Sequence, residues 1–210
     1  PFEGETIMSR VKLLADEEIA DYKELMEPIK QRLGFVPNSQ RSMAHKPELL
    51  KAYGELSKAV MDQTDGSISR ALKYMIGNAA SLSAGCMYCI AHTGGGSARG
   101  GTEEAKVAAI WEFETSDLFT EAERSALRFA QAAAAVPNMA TDEDFADLRK
   151  HYDEYQIVEI VAVISMFGFL NRWNDTMATA LEEEPIAFAE KNLAGNGWTV
   201  GKHVTGEAAE

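Results

Sequence analysis

The chain has 210 residues, 46% of them hydrophobic and 25% charged, which is ordinary for a globular protein and sufficient to bury a large core. Nucleic acid and anionic membrane surfaces would repel its net charge of −13, so neither is expected as a partner. The acidic start, Pro1 to Glu5, has no apolar segment of the secretory kind, and the two cysteines form no disulfide framework, so we expect a reducing, cytoplasmic location.

Apolar residues at helical spacing, bounded by capping residues, recur along most of the chain and predict helices. These helices are expected at about 16–33, 38–46, 47–61, 67–84, 102–111, 120–136, 141–148, 154–182 and 185–193. The first half of the last long segment, which begins at Glu154, is apolar on nearly every side. It is therefore expected to lie in the core or in a subunit interface.

No run of alternating strand residues and no internal repeat interrupts this helical pattern. The predicted fold class is all-α, a single-domain bundle of about eight or nine helices. We expect residues 1–66 to form an N-terminal helical segment packed on the main bundle, and Ser67 to cap the first helix of the core. Residues 67–194 would form that core, and residues 195–210 a polar tail.

The stretch from Gly85 to Thr93 holds both cysteines of the chain, Cys86 and Cys89, and one of its four histidines, His92. A C-x-x-C pair is a redox or a metal motif. Because the preceding helix ends at Gly85, Cys86 is expected in the first turn of a new helix, where backbone N–H groups favour a thiolate. Cys89 then lies one turn on, within reach of a disulfide. His92 falls on the face of Cys89 and could exchange a proton with it.

Other interpretations of this motif stay open. A thioredoxin fold would place the cysteines after a strand, but here they follow a helix, which excludes that fold without excluding its chemistry. Zinc could use both cysteines and His92. A structural zinc site takes a fourth ligand, which only the fold could bring, from His45, His151 or a carboxylate. We therefore predict no metal and no cofactor. Two small buried cysteines without chemistry are the remaining alternative.

The segment Cys86 to Thr93, with Tyr88 between the cysteines and Ala91 before the histidine, resembles the cysteine motif of the alkyl hydroperoxidase D-like, carboxymuconolactone decarboxylase superfamily. The segment 171–175, Asn-Arg-Trp-Asn-Asp, is similar to the second recurrent stretch of that family. The likeness covers about 67–181 and is nearest to the peroxidase-related branch. It implies an all-helical fold that assembles into homo-oligomers.

The resemblance also implies that Cys89 attacks a small hydroperoxide and that Cys86 resolves the sulfenic acid as a disulfide. The proton relay of the family's hydroperoxidases is not matched, because Thr93 stands where their histidine is expected and Tyr74 where their glutamate is expected. The expected activity is a thiol-dependent (hydro)peroxidase or disulfide reductase in which His92 tunes Cys89. A dithiol reductant protein or a small thiol would reduce the disulfide again.

Two further functions compete with this one. The first is a non-redox lyase of the carboxymuconolactone decarboxylase type, which would use acid–base residues in the same cleft and would not need the cysteine pair. The second is a non-enzymatic helical oligomer whose cysteines sense redox state or bind zinc. Five residues are candidates for lining the cleft, although residues of these types lie more often in a core or an interface: Tyr74, Thr93, Trp111, Asn171 and Trp173.

Overall fold

The computed structural model describes residues 9–204, except the side chains of Asp21, Pro28 and Arg32, and in this range it is all-helical with no β-strand. The predicted fold class is confirmed, with ten α-helices and four short 3-10 turns among the described residues. The helices are α1 Lys23–Leu33, α2 Asn38–Met43, α3 Pro47–Met61, α4 Arg70–Ala84, α5 Met87–Arg99, α6 Glu104–Ala108, α7 Glu121–Ala134, α8 Asp142–Leu148, α9 Glu154–Met177 and α10 Glu183–Asn192. The predictions for Pro1 to Glu5 and for residues 205–210 fall outside the described residues.

Capping residues set the starts of the core helices. Helices α7, α8 and α9 each begin with a capping box, formed by Thr120, Thr141 and Asp153 respectively. In each, the cap side chain accepts a hydrogen bond from the backbone N–H of the third helical residue, whose side chain accepts from the N–H of the cap. The cap of α4 is Ser69, whose hydroxyl accepts from Leu72 N–H at 3.1 Å. The predicted cap, Ser67, is therefore wrong by two residues, because several hydroxyl residues precede this helix and local sequence does not rank them.

Helix α4 lies at the centre of the bundle and packs against α5, α7 and α9. Two glycines let these helices approach closely. A Cβ on Gly77 would come within 2.4 Å of the Phe167 ring of α9, and one on Gly96 within 2.5 Å of the Tyr74 ring. The glycine run in α5 therefore serves close packing, and α5 continues through it to Arg99.

A buried ion pair joins α4 to α9. Lys73 Nζ, fully buried, lies 2.6 Å from Glu159 Oε1 and also donates to the Asp62 carbonyl at 2.7 Å. The other carboxylate oxygen of Glu159 accepts from the Ile68 N–H at 2.9 Å. Glu159, in the apolar first half of α9, is therefore held by partners from α4 and from the segment just before it, as buried charges require.

Helix α9 ends earlier than the sequence predicts. The expected helix ran to Glu182, whereas α9 stops at Met177 and Ala178 adopts a left-handed conformation with φ of 48°. Glycine or asparagine usually marks such an ending. Alanine is a good helix former, so the sequence does not indicate that the helix ends here, and the predicted end at Glu182 is wrong. The break moves Glu182 out of α9 and makes it the N-cap of α10.

One face of α9 remains apolar and solvent-exposed in the single chain. It carries four exposed hydrophobic side chains, those of Tyr155, Val158, Val161 and Phe169. By length and composition alone this helix could cross a membrane, but the core helix of a soluble protein passes the same test. Its opposite face is buried against α4 through residues such as Ile160.

The segment after α10 turns back onto the bundle. Trp198 and His203 are buried, and Trp198 Nε1 donates to the Met87 carbonyl at the start of α5 at 3.0 Å. The Leu181 N–H donates to the His203 carbonyl at 2.9 Å. The described part of the expected polar tail thus contributes two buried rings next to the cysteine motif.

Candidate functional site

The turn between α4 and α5 places the cysteines. Gly85 ends α4 in a left-handed conformation with φ of 70°, which a side chain would disfavour, and Cys86 follows as the N-cap of α5. Cys89 lies one helical turn further, so both sulfurs are near the helix start, where the orphan N–H groups lie. Both cysteines are buried and neither is in a disulfide.

Cys89 faces a cavity of about 80 Å³ in the interior of the molecule. His92, one turn further along α5, faces the same cavity. Apolar and aromatic side chains make most of the remaining wall, and they include Leu33, Tyr53, Tyr74, Met166, Phe167 and Leu170. The cavity is therefore suited to a small, largely apolar molecule that meets Cys89 and His92 together.

A larger cavity of about 370 Å³ adjoins the first. The two share four lining residues, Gln40, Tyr53, Ser57 and Met61. Charged side chains line the larger one, among them Lys51, Lys58 and Arg70 with Glu24 and Asp62. The small cavity beside Cys89 is thus continuous with a larger cavity that has several charged side chains among its lining residues.

The Cys89 sulfur has a polar neighbour from α9. Asn174 Nδ2 lies 3.5 Å from Cys89 Sγ and donates a hydrogen bond to it. Burial raises the pKa of Cys89 well above its ordinary value, and the neighbouring Cys86 raises it further. Cys89 therefore holds the proton of the pair in the resting, reduced protein.

Cys86 has the opposite electrostatic character. A hydrogen bond from the Cys89 thiol and, against the effect of burial, the nearby His203 ring lower the pKa of Cys86 to about 6. Because the two thiols are so close, this value belongs to the pair rather than to one sulfur. The dithiol therefore carries one negative charge at neutral pH, placed on Cys86.

His203 approaches Cys86 from the C-terminal segment. Its Nδ1 donates to the Thr179 carbonyl at 2.8 Å, which fixes the ring, and its Nε2 is buried without a hydrogen-bond partner of ordinary length. Cys86 Sγ, a carboxylate oxygen of Asp175 and a ring nitrogen of His203 lie within 4.8 Å of one another. His203 therefore lies beside Cys86, and neither residue is among those that line the cavity.

Among residues 9–204, the ligand atoms of Cys86, Asp175 and His203 lie close enough together to bind a metal ion. This set differs from the zinc set considered from the sequence, since His92 is not part of it. A closed zinc site takes four ligands, and Asp175 Oδ1 is already engaged by Lys202 Nζ at 2.8 Å. The cluster thus fits a thiolate with acid–base neighbours better than a closed metal site.

His92 belongs to a separate network on the cavity side. Its Nε2 lies 2.7 Å from Glu182 Oε2, and its ring stacks on Tyr88 at 4.5 Å between centroids. Glu182 Oε1 accepts from the Tyr88 hydroxyl at 2.8 Å and from the Asn38 N–H. Burial pushes the pKa of Glu182 up, but His92 and these hydrogen bonds outweigh it and keep that pKa below its ordinary value. Glu182 is therefore an ionised carboxylate that orients His92.

The structure brings together two of the five residues expected to line the cleft. Tyr74 and Thr93 line the cavity beside Cys89, and the buried Thr93 hydroxyl donates to the Cys89 carbonyl at 2.6 Å. Trp111, Asn171 and Trp173 are not among the lining residues of either cavity in the described part of the chain.

Each of those three residues has a different setting. Trp111 is partly exposed in the 3-10 turn after α6. Asn171 is buried, with both amide atoms lacking hydrogen-bond partners. Trp173 Nε1 donates to Ser42 Oγ at 3.0 Å and so links α9 to α2.

The sequence analysis did not identify Glu182 and His203. Glu182 lies 90 residues after His92 in an acidic run, and such runs are usually solvated. His203 follows a Gly-rich stretch that was expected to be a polar tail. Asn174 and Asp175 carried a signal, because both belong to the second segment that resembles the family.

Comparisons with known proteins agree with this architecture. A model of the carboxymuconolactone decarboxylase family matches residues 47–132, which run from the start of α3 into α7 and contain both cysteines and His92. YdfG of Bacillus subtilis strain 168 is 28% identical over 130 residues, or 61% of this chain and 84% of YdfG.

Two solved structures are similar over nearly their whole length. A variant of the debrominase Bmp8 in complex with 2,3,4-tribromopyrrole is 36% identical, with 86% of this chain and 96% of that chain covered and a TM-score of 0.79. The alkylhydroperoxidase AhpD core of a peroxidase-related protein from Ralstonia eutropha JMP134 is 23% identical, covers 87% and 95% of the two chains, and has a TM-score of 0.76. At that identity the second likeness concerns the fold.

Proposed function

The chain belongs to the alkyl hydroperoxidase D-like, carboxymuconolactone decarboxylase superfamily, and from this premise we propose that it is a dithiol-dependent oxidoreductase acting on a small electrophile. Cys89 attacks the electrophile and Cys86 then closes a disulfide with it. The proposal rests on the different settings of the two cysteines. Cys89 lines the cavity, whereas Cys86 does not line it and is the more acidic thiol.

The charge of the pair supports this order of events. At neutral pH the pair holds one proton, and the Cys89 thiol donates it in a hydrogen bond toward the Cys86 thiolate. Transfer of that proton to Cys86 leaves a thiolate on Cys89, beside the substrate. A thiolate is the nucleophilic form of cysteine. Cys86 thus acts as the base for Cys89, and no other group needs to enter the cavity.

With a hydroperoxide the reaction balances as follows. The Cys89 thiolate attacks the terminal oxygen of ROOH, the O–O bond breaks, and RO⁻ leaves while Cys89 becomes a sulfenic acid. Cys86 sulfur then attacks the Cys89 sulfur, the S–O bond breaks, and hydroxide leaves. The sum is one thiol, one thiolate and ROOH giving one disulfide, ROH and OH⁻.

The His92–Glu182 pair supports proton transfer on the substrate side. His92 lines the same cavity as Cys89, and the buried Glu182 carboxylate holds its ring in place. A histidine so oriented can donate a proton to a developing alkoxide or carbanion as the leaving group departs. This pair takes the place of the relay residues that the sequence lacks at Tyr74 and Thr93.

Two classes of electrophile fit the dithiol. Hydroperoxides are the first, from the cysteine motif. Halogenated aromatic rings are the second, favoured by the 36% identity to a debrominase over 96% of its chain. For an aryl bromide, Cys89 would attack bromine, the aryl carbanion would take a proton, and Cys86 would displace bromide from Cys89. One thiol, one thiolate and ArBr thus give one disulfide, ArH and Br⁻.

The cycle needs an external reductant, and the proposal therefore includes a dithiol protein or a small thiol in a reducing compartment such as the cytoplasm. It also includes a homo-oligomer. The exposed apolar face of α9, with Val158 and Val161 at its centre, is the surface that a second copy would cover.

The test is a single-turnover experiment on the reduced protein without reductant. Stoichiometric tert-butyl hydroperoxide and, separately, a bromopyrrole are mixed with wild type, Cys86→Ser and Cys89→Ser. Free thiols are titrated, and mass spectrometry reports the disulfide. Wild type should lose both thiols, Cys86→Ser should stop at a sulfenic acid or its equivalent on Cys89, and Cys89→Ser should leave the electrophile intact. Bromide release identifies the second class of substrate.

The unfolded chain in urea is the control for intrinsic thiol reactivity. Oxidation of the folded protein no faster than of this control, with both electrophiles, would refute the proposal. Turnover of a lactone by the Cys86→Ser and Cys89→Ser variants would replace it with the lyase. Stoichiometric zinc in the purified protein, together with inert thiols, would replace it with the zinc-binding oligomer.

A further inference from the structure

We propose that His203 is a second catalytic residue of the dithiol, which exchanges a proton with Cys86 while Cys86 closes the disulfide. The proposal rests on the proposed function and concerns the rear face of the motif, which the cavity does not reach. It assigns a chemical role to the segment after α10, a part of the chain beyond residues 47–132 of the family match.

The position of the ring is fixed from several sides. Nδ1 donates to the Thr179 carbonyl at 2.8 Å, and the His203 carbonyl accepts from the Leu181 N–H at 2.9 Å. The side chain is 1% exposed. With Nδ1 engaged by the Thr179 carbonyl, Nε2 is the ring nitrogen that remains available to the interior. Nε2 has no hydrogen-bond partner in the described part of the chain, and Cys86 Sγ lies within 4.8 Å of a ring nitrogen of His203.

An unpartnered ring nitrogen this deep in a protein is costly unless it has a use. Next to a thiol it can accept the proton of Cys86, and next to a thiolate it can return one. His92 cannot do this work, because its Nε2 is engaged by Glu182 on the cavity side. The dithiol thus has one histidine on each side, with His92 facing the substrate and His203 facing Cys86.

Other titratable and charged groups surround this pair and bear on its pH dependence. Cys89 approaches Cys86 from α5, and Asp175 approaches from the end of α9. Lys202 Nζ binds the Asp175 carboxylate at 2.8 Å and offsets its charge. The Tyr88 ring lies 5.8 Å from the His203 ring. Asp175 can stabilise the imidazolium that forms when His203 takes the proton.

The proposed step follows from the first half-reaction. Cys86 holds the proton that it received from Cys89, and His203 Nε2 accepts this proton as Cys86 sulfur attacks the oxidised Cys89. The S–S bond forms, the bond from Cys89 to hydroxide or bromide breaks, and the imidazolium releases its proton to water afterwards. No further oxidant is needed, since the electrophile has already oxidised Cys89.

The sharpest test replaces His203 by asparagine. An asparagine amide can still donate to the Thr179 carbonyl, as Nδ1 does, but it has no atom at the position of Nε2. His151→Asn is the matched control, because His151 is exposed on the surface after α8. His203→Gln is the second variant, since its longer amide reaches toward Cys86 as a hydrogen-bond donor that does not titrate.

The first measurement needs no substrate. In a Cys89→Ser background the serine keeps a hydroxyl donor toward Cys86, and thiolate absorbance reports Cys86 alone. Adding His203→Asn should raise the pKa of Cys86 by about one unit toward the ordinary thiol value. His203→Gln should raise it less, and His151→Asn should leave it unchanged.

The second measurement is the rate of disulfide closure with both cysteines present. If the pKa of Cys86 moves from about 6 to about 7, its thiolate fraction at pH 6 falls from about one half to about one tenth, or roughly fivefold. Closure in His203→Asn should therefore be about fivefold slower at pH 6 and equal to wild type near pH 9. His203→Gln should show a smaller defect at pH 6.

An unchanged pKa of Cys86 and an unchanged closure rate at every pH, in either variant, would overturn the inference. Stoichiometric zinc that is present in wild type and lost in His203→Asn would overturn it as well, by making His203 a ligand. If the wild type forms no disulfide with any electrophile, the proposed function is refuted instead. The thiolate titration would still report on His203.

Discussion

Replacing Glu182 by glutamine tests the network that orients His92. The Glu182 carboxylate accepts from His92 Nε2 at 2.7 Å, from the Tyr88 hydroxyl at 2.8 Å and from the Asn38 N–H. Glutamine keeps an acceptor for the last two but turns an N–H₂ group toward His92. Hydrogen bonds to a charged group are worth about twice as much as neutral ones, so we expect a loss on the order of 2 kcal/mol.

For a chain of this size such a loss lowers the melting temperature by about 4–8 °C. The loss should depend on pH. The folded-state pKa of Glu182 is lowered from its ordinary 4.5, so its stabilisation is full above that value and disappears as pH falls through the lowered pKa. Urea unfolding of wild type and Glu182→Gln at pH 7, 5.5 and 4 should therefore give a difference that is constant at first and then shrinks.

Activity should fall together with stability. Without its carboxylate partner, His92 loses its orientation toward the cavity, and single-turnover oxidation of Cys89 should slow on the order of tenfold at pH 7. Glu184→Gln is the control, because Glu184 is exposed and pairs with Arg99 at 2.9 Å on the surface of the same region. Such surface pairs contribute about 0–1 kcal/mol. If Glu182→Gln matches Glu184→Gln in both assays, Glu182 does not orient His92.

Two further predictions concern packing and assembly. Gly77→Ala should destabilise the fold by about 1–3 kcal/mol, since its Cβ would lie 2.4 Å from the Phe167 ring. Gly54→Ala, in open space within α3, should instead stabilise the fold by about 0.5–1 kcal/mol. Urea denaturation measures both changes, and equal effects would contradict the packing argument. Val158→Lys should reduce the mass measured by light scattering from oligomer to monomer, and an unchanged mass, or a wild type that is already monomeric, would remove α9 as the interface.

The helices were predictable because their signals are local. Apolar spacing and capping residues indicate elements such as α7, α8 and the start of α9, whose caps lie in the sequence beside them. The end of α9 was not predictable in this way. Its break depends on Ala178 in a left-handed conformation, which alanine does not favour and which the local sequence therefore does not indicate.

The candidate site was predictable only where its residues are neighbours in the sequence. The spacing of Cys86, Cys89 and His92 within one helix is a local property, so their common location could be inferred. The partner of each is a long-range property. Glu182 and His203 reach the motif only because the chain turns back after α9, and no pattern near either residue indicates that contact.

This division bears on how the chemistry of the chain is determined. The residues that match the family, 47–132, contain both cysteines and His92. The groups that set their protonation, Glu182 on the cavity side and Asp175 with His203 on the rear side, all come from after α8. A chain could therefore keep the dithiol and lose its acid–base partners, or exchange them, through changes in the C-terminal segment alone. The C-x-x-C motif identifies where the reaction occurs, whereas the end of α9 and the segment that follows it determine which thiol is charged and where its proton goes.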